Sequence, residues 1–230
     1  ATMPKGNILR IAWERKTAEE ALAASRDPRK LEAGELWPDH IVEIEPQGLT
    51  GGRIVWEWHV WDHLVQDFGP TKANYGVVGE HPELVDINWV NTLGEPRPDK
   101  LAEEQEKLAA LGYLPAQPHD TPRAEKLDRF EHLQAADFNH ANSVAYNPDL
   151  DQIALGVLKF NEVWIIDHGT TVTEAAGHTG GRQGKGGDLL YRWGNPQTYR
   201  MGTPEDQRFF GQHDARWITR GRPGAGHLLV

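Results

Sequence analysis

Histidine is the residue type through which this sequence can do chemistry. The chain has 230 residues with eleven histidines and no cysteine, which excludes disulfides, thiolate catalysis and cysteine-bound zinc. Two histidines, His140 and His213, begin the similar segments HANSV and HDARW. Aligning these segments places residues 1–3 opposite residues 142–144, so the matching position of an earlier copy lies just before Ala1. We expect a further histidine there in a longer parent chain.

Histidines at equivalent places in a repeat are compatible with two kinds of chemistry. Imidazole nitrogens bind zinc, copper, iron or nickel. A neutral imidazole also acts as a nucleophile, or exchanges a proton, near neutral pH. The third interpretation is structural, because a histidine in a strand or turn is usually no more than a hydrogen-bonded residue. The spacing of the histidines leaves all three open.

The elements that position His140 follow it directly in the sequence. Short runs rich in Val, Ile, Leu, Trp and Tyr alternate with turn residues such as Asn147-Pro148-Asp149, a pattern typical of antiparallel strands. We predict strands over residues 142–146, 152–158, 162–167 and 188–193. Four antiparallel strands in chain order make one blade of a β-propeller.

The same pattern occurs before and after this unit. Upstream, residues 6–13, 40–45 and 52–58 match its last three strands, and GGRIVWEW closely matches GGDLLYRW. A third copy begins at His213 and continues over residues 226–230. We therefore predict an all-β fold, a β-propeller fragment of roughly two and a half blades. The repeats are expected at about residues 1–68, 140–194 and 213–230.

A propeller needs at least about four blades to close its ring. We therefore expect this chain to be a fragment of a longer protein, inactive alone because all blades share the central channel. The alternative is an open stack of sheets that covers its ends by self-association, since unpaired strand edges promote association.

The composition agrees with a turn-rich β protein that has aromatic packing between its sheets. The chain has nine tryptophans and 24 glycines, and its net charge is −10. An acidic chain without a basic face argues against nucleic acid as a partner. No apolar run approaches the length of a membrane span, and no signal peptide is recognisable at the N-terminus.

Two segments depart from the repeat pattern. Residues 16–26 have helical composition, with Thr17 and Glu20 spaced as a capping box. Residues 91–136 interrupt the repeat, and we predict a helical insertion over one face of the propeller. A strong helix is expected at 99–111 and a second one within 123–136.

A glycine-rich stretch, GHTGGRQGKGGD, lies between the last two strands of the second repeat. It fails as a phosphate-binding P-loop because Lys185 is followed by Gly186 rather than by Ser or Thr. Arg182 and Lys185 among glycines can still hold an anion through backbone N–H groups. The alternative is a plain long loop.

Longer motifs resemble the arylsulfotransferase (aryl-sulfate sulfotransferase) family. They include HANSVAYNPDLDQI, NEVWIIDH, GGDLLYRWGNPQTYR, FFGQHDARWI and IVWEWHVWDHLVQDF, and they cover nearly the whole chain apart from residues 91–136. The resemblance implies a six-bladed propeller that moves a sulfuryl group from a phenolic sulfate to another phenol without a nucleotide sulfate donor. It also implies a periplasmic or extracellular location, and small-molecule aryl sulfates and phenols as partners.

The resemblance further implies roles for single residues. His213 in GQHDARW matches the nucleophile that becomes sulfohistidine, and His140 in HANSV matches the histidine that assists the phenol oxygen. We name Asn142, Lys159 and Trp217 as substrate contacts, with Trp217 able to stack on the aryl ring. The family's arginine after the HANSV strand is missing, and Lys159 offers a point charge without bidentate recognition.

Two other functions stay open beside sulfuryl transfer. One is a noncatalytic propeller used as a binding or scaffold module, which the missing arginine and the 91–136 insertion favour. The other is a metal-dependent propeller hydrolase. We assign no cofactor and no metal ligand by residue number.

Overall fold

The computed structural model describes residues 1–90 and 129–230. The helix expected at 99–111, and most of the 91–136 insertion, lie outside the described residues. The strands are β1 Ile8–Trp13, β2 Lys16–Thr17, β3 Glu35–Leu36, β4 Asp39–Gln47, β5 Gly51–His59, β6 Leu64–Val65, β7 Val85–Asp86, β8 Ala141–Asn147, β9 Gln152–Val157, β10 Glu162–Asp167, β11 Tyr191–Trp193, β12 Arg216–Trp217 and β13 Leu228–Leu229.

Helices in these ranges are short. The α-helices are α1 Ala18–Ala23, α2 Arg129–Ala136 and α3 Val172–Ala175. Single turns of 3-10 helix cover Pro28–Lys30, Val60–His63, Val78–Glu80, Leu158–Phe160, Pro196–Tyr199 and Pro204–Asp206. Among the helices described, none combines the length and the apolar character that a bilayer crossing requires.

The four-stranded sheet after His140 confirms the predicted meander. β8, β9, β10 and β11 are antiparallel neighbours in chain order. Their connections use Asp151 and Asn161 at positive φ (56° and 54°), a conformation that Asp and Asn tolerate better than other residues. The last strand begins at Tyr191 and not at Asp188 as predicted. The reason is that the Asp188 carboxylate is turned towards two histidines outside this sheet.

The first sheet has the order β1-β4-β5, with a bulge after Glu43. The first sheet also resembles the second sheet at the edge next to β1, where residues 1–3 lie. Ala1 and Leu9 exchange backbone hydrogen bonds of 2.8 Å, and Thr2 bridges Ile8. Residues 1–3 therefore lie beside β1 as β8 lies beside β9. The predicted register is wrong, because Thr2 stands opposite Ile8 at the turn where the second sheet has Asn147 opposite Gln152. Residues 1–3 thus correspond to the end of β8 and not to residues 142–144. The third copy contributes the antiparallel pair β12–β13.

The predicted capping box at the start of α1 is confirmed. The Glu20 N–H donates to Thr17 Oγ1 at 3.3 Å, and the Thr17 N–H donates to the Glu20 carboxylate at 2.8 Å. The helix ends at Ala23, earlier than predicted, because Ser25 takes a positive φ of 63°. The chain then turns through Asp27, whose carboxylate accepts the Arg29 N–H at 3.0 Å.

The second sheet is covered on both faces. Side chains alternate between the two faces of a strand, and here Leu155 and Trp164 face the core shared with the first sheet. Ala154 and Ile165 face a second cluster with Ala215 of the third copy. Because both faces are covered, the interior positions of β9 and β10 are apolar on both sides of the sheet. The described residues thus form a largely β-sheet structure, while closure into a propeller stays a prediction.

Candidate active site

His140 stands at the start of β8 with its imidazole oriented by a carboxylate. Its Nδ1 is hydrogen-bonded to Asp137 Oδ2, and Asp137 is buried while the imidazole is partly exposed. An ionised carboxylate only accepts hydrogen bonds, so His140 Nδ1 carries the proton. In the neutral ring the lone pair is then on His140 Nε2, which is the nitrogen that can accept a proton.

The residues on both sides of His140 are fixed to Asp39 at the start of β4. The Asp39 N–H donates to Asn139 Oδ1 at 2.9 Å, and Asn139 Nδ2 donates to Asp39 Oδ2 at 2.8 Å. The Ala141 N–H donates to the same carboxylate oxygen. These bonds hold His140 between them at a φ of 50°, which is uncommon for a residue other than glycine.

His213 is exposed and has one ring nitrogen occupied. Its Nδ1 donates to the Gly211 carbonyl oxygen at 2.9 Å, so the neutral ring carries its lone pair on Nε2. The segment is held to the second sheet on either side. Gln212 Nε2 donates to carbonyl groups of β9 and β10 at 3.0 and 2.8 Å, and the Ala215 N–H donates to Ser143 Oγ at 3.0 Å.

Asn142 connects the two histidine segments. Its Nδ2 donates to the Gln212 carbonyl at 2.7 Å, which brings the chain before His213 onto the edge of β8. Gly156 on β9 permits this packing, because a Cβ there would lie 2.3 Å from Ser143 Oγ and 2.8 Å from Asn142 Oδ1. Asn142 Oδ1 is buried without a hydrogen-bond partner among the described residues. Asn142 thus joins the histidine segments, and its substrate contact stays a prediction.

Lys159 and His140 both contact Asp137. Its Nζ donates to the carbonyl groups of Gln134, at 2.5 Å, and Asp137, and it is 3.9 Å from Asp137 Oδ2. Burial lowers the pKa of Lys159. The ammonium therefore anchors the end of α2, on the wall of a cavity of about 810 Å³ also lined by Arg26.

Trp217 is not brought to His140. It lines a cavity of about 580 Å³ together with Tyr146 at the far end of β8, whereas His140 lines a separate cavity of about 390 Å³ with Trp13. A strand rises about 3.3 Å per residue, so the two ends of β8 are on the order of 20 Å apart. Trp217 and His140 therefore line different cavities.

Sequence reasoning missed the two aspartates that support His140. Asp137 lies three residues before His140, and that spacing was the one local signal for it. Asp39 is 100 residues from Asn139 in the chain, so no local pattern indicates their contact. A separate group, His63, His178 and Asp188, was also missed, and its ligand atoms lie within 4.8 Å of one another.

Comparison with known proteins leaves the family of this chain open. No protein-family model, no curated protein and no solved structure matches it. The geometry of the histidines is therefore what bears on function.

Proposed function

We propose that this chain is part of an enzyme that transfers a sulfuryl group from a phenolic sulfate to a phenol through a sulfohistidine at His213. The observation that carries the proposal is the hydrogen bond from His213 Nδ1 to the Gly211 carbonyl. It leaves the lone pair of an exposed imidazole on Nε2, which is the form that a nucleophile needs. The resemblance to arylsulfotransferases supports the same residue.

The transfer takes place in two displacement steps. His213 Nε2 attacks the sulfur, the bond between sulfur and the donor oxygen breaks, and that oxygen leaves as a phenolate that takes a proton from His140. The acceptor phenol then loses its proton to His140 and attacks the sulfur, which breaks the N–S bond and frees His213. Asp137, bonded to His140 Nδ1, balances the charge of the protonated ring, which precedes the first step and is restored by the second.

The equatorial oxygens of the transferred group need positive donors in a loose transition state. Lys159 is a cation that shares Asp137 with His140. Two of its three N–H donors already bind backbone carbonyl groups. Lys159 therefore offers one free donor where an arginine would offer a fork, and we expect slower transfer than an arginine would support.

The test treats the longer protein, of which this chain is expected to be a part, with 4-nitrophenyl sulfate, with and without phenol, because the chain alone is expected to be inactive. We expect release of nitrophenolate, a sulfuryl group on the His213 peptide by mass spectrometry, and loss of both in His213→Ala. His227→Ala is the matched control, because His227 lies in the turn between β12 and β13 and should behave like the parent chain.

A second variant tests the role given to Asp137. Asp137→Asn should slow transfer by roughly 100-fold and alter its pH profile, because the amide no longer stabilises the imidazolium form. Release that survives in His213→Ala would reject the sulfohistidine. A folded longer protein with neither release nor label would reject the transferase and favour a binding module.

A further inference from the structure

Three side chains from two segments that are distant in the sequence lie close together. His63 ends the 3-10 helix Val60–His63 that follows β5, while His178 and Asp188 lie in the loop between α3 and β11. Asp188 Oδ1 is 2.9 Å from His63 Nδ1 and 2.7 Å from His178 Nδ1. His63 is fully buried and Asp188 nearly so, whereas His178 is exposed.

The hydrogen bonds of His63 call for a cation in this group. His63 Nε2 is 2.9 Å from the Ala175 carbonyl oxygen, which can only accept, so Nε2 carries a proton. In a neutral ring, Nδ1 then points its lone pair at the Asp188 carboxylate. Two acceptors facing each other in a buried place need a proton or a metal ion between them. Histidine ligands of metals commonly donate their other ring N–H to a backbone carbonyl in this way.

The glycine-rich loop is shaped to approach His63 closely. A Cβ on Gly187 would lie 1.9 Å from the Ala175 carbonyl oxygen and 2.6 Å from His63 Nε2. Trp58 stacks on the His63 ring at 5.5 Å and donates its Nε1–H to the Gly187 carbonyl at 2.6 Å. A capping box between Thr171 and Glu174 fixes the start of α3, and α3 in turn positions Ala175. The stretch GHTGGRQGKGGD therefore positions side chains around one buried imidazole.

We propose that His63, His178 and Asp188 bind one divalent transition-metal ion, with zinc as the best fit. Two imidazoles and a carboxylate are a ligand set used at zinc sites, at metal–ligand distances of about 2.0–2.2 Å. Tetrahedral ligands are then roughly 3.3 Å apart. The two distances of 2.7 and 2.9 Å need to open by only a few tenths of an ångström.

The exposed ligand of the three, His178, borders a cavity. His178 lines a space of about 480 Å³ together with Asp62, Tyr75 and His81. Zinc sites with three protein ligands keep the fourth place for water or for a small oxygen or nitrogen ligand. The ion also ties the loop before β11 to the segment after β5. Binding should therefore stabilise the contact between the first two sheets.

The test titrates the chelator-treated chain with cobalt(II) and with zinc. We expect one ion per chain, a visible cobalt spectrum of tetrahedral type, and a rise in the unfolding temperature. His178→Ala should weaken binding at least about tenfold while the exposed position keeps the fold intact. His81→Ala is the matched control, because His81 lines the same cavity outside the ligand set, and it should bind like the parent chain.

Two results would overturn the metal site. One is the absence of saturable binding to the folded parent chain. The other is unchanged affinity in His178→Ala. Either result would assign the group to a hydrogen-bonded structural cluster in which a proton lies between His63 and Asp188. Since the readout is metal binding and not sulfuryl transfer, failure here leaves the role of His213 untouched.

Discussion

Asp39 lies at the start of β4 with its carboxyl group buried beside the backbone of His140. Burial raises the pKa of Asp39 to about 7, and the nearby Asp137 carboxylate adds to the shift. An unfolded aspartate titrates near about 3.9. Between these two values the folded chain binds more protons than the unfolded chain. The contribution of Asp39 to the free energy of unfolding therefore decreases as the pH rises from about 4 to about 7.

We expect Asp39→Asn to remove this pH dependence. Asp39 Oδ2 accepts the bonds from Asn139 and Ala141, while Oδ1 has no partner in residues 1–90 and 129–230. An amide oxygen in the place of Oδ2 therefore keeps both bonds. At about pH 8, urea unfolding should give the variant a higher free energy of unfolding than the original chain, by an amount on the order of a few kcal/mol. That advantage should shrink as the pH approaches about 4. If the two chains differed in free energy of unfolding by the same amount at all pH values, Asp39 would not be the source of the pH dependence.

Strands β10 and β11 are joined by a buried ion pair as well as by their backbone. Arg192 on β11 donates to the fully buried Glu162 carboxylate of β10 at 2.6 Å. The Thr198 hydroxyl donates to the same carboxylate at 2.7 Å, and the guanidinium lies 4.6 Å from the Tyr199 ring centroid. The pair thus also fixes the 3-10 helix that follows β11.

Arg192→Met should destabilise the chain by about 3–5 kcal/mol, because it leaves the Glu162 carboxylate buried without its cation. Arg53→Met is the matched control on β5. Arg53 pairs with Glu45 at 2.8 Å, but both side chains are largely exposed, so its loss should cost only about 0–1 kcal/mol. Urea unfolding measures both variants. Similar losses of unfolding free energy in the two variants would show that the buried ion pair stabilises the chain no more than the exposed pair does.

The strands could be predicted from the sequence because their signals are local. Apolar runs bounded by turn residues marked the strands of both larger sheets, and Thr17 with Glu20 marked the start of α1. The start of β11 was missed because Asp188 binds His63, 125 residues away in the chain. Contacts of that separation depend on how the loops pack. For the same reason His140 could be predicted as a site residue from the sequence, whereas its contact with the distant Asp39 segment could not.

The outer face of the second sheet is covered less completely than the face that meets the first sheet. Tyr191 and Trp193 on β11 are 58% and 46% exposed. Their counterparts in the repeat, Trp56 and Trp58, are 4% and 0% exposed because they pack in the core between the first two sheets. On the other side, the third copy contributes the two-residue strands β12 and β13 within the described residues.

We expect this partly covered aromatic face to promote association between copies of the chain at high concentration. Burying apolar surface is the main driving force of protein association, and exposed aromatic patches of this kind mark interaction surfaces. Sedimentation velocity should show a coefficient that rises with concentration for the parent chain. Tyr191→Lys should reduce that rise, because a charge in the contact must be desolvated.

Tyr75→Lys is the comparison for this prediction, since Tyr75 is similarly exposed but borders the separate cavity near His178. It should associate like the parent chain. A parent chain that stays monomeric at every concentration would mean that β12, β13 and their neighbours already cover the second sheet sufficiently. Association that is equal in both lysine variants would place the contact on another surface. A rise that Tyr191→Lys alone reduces would identify the β11 face as the surface through which the stack of sheets associates.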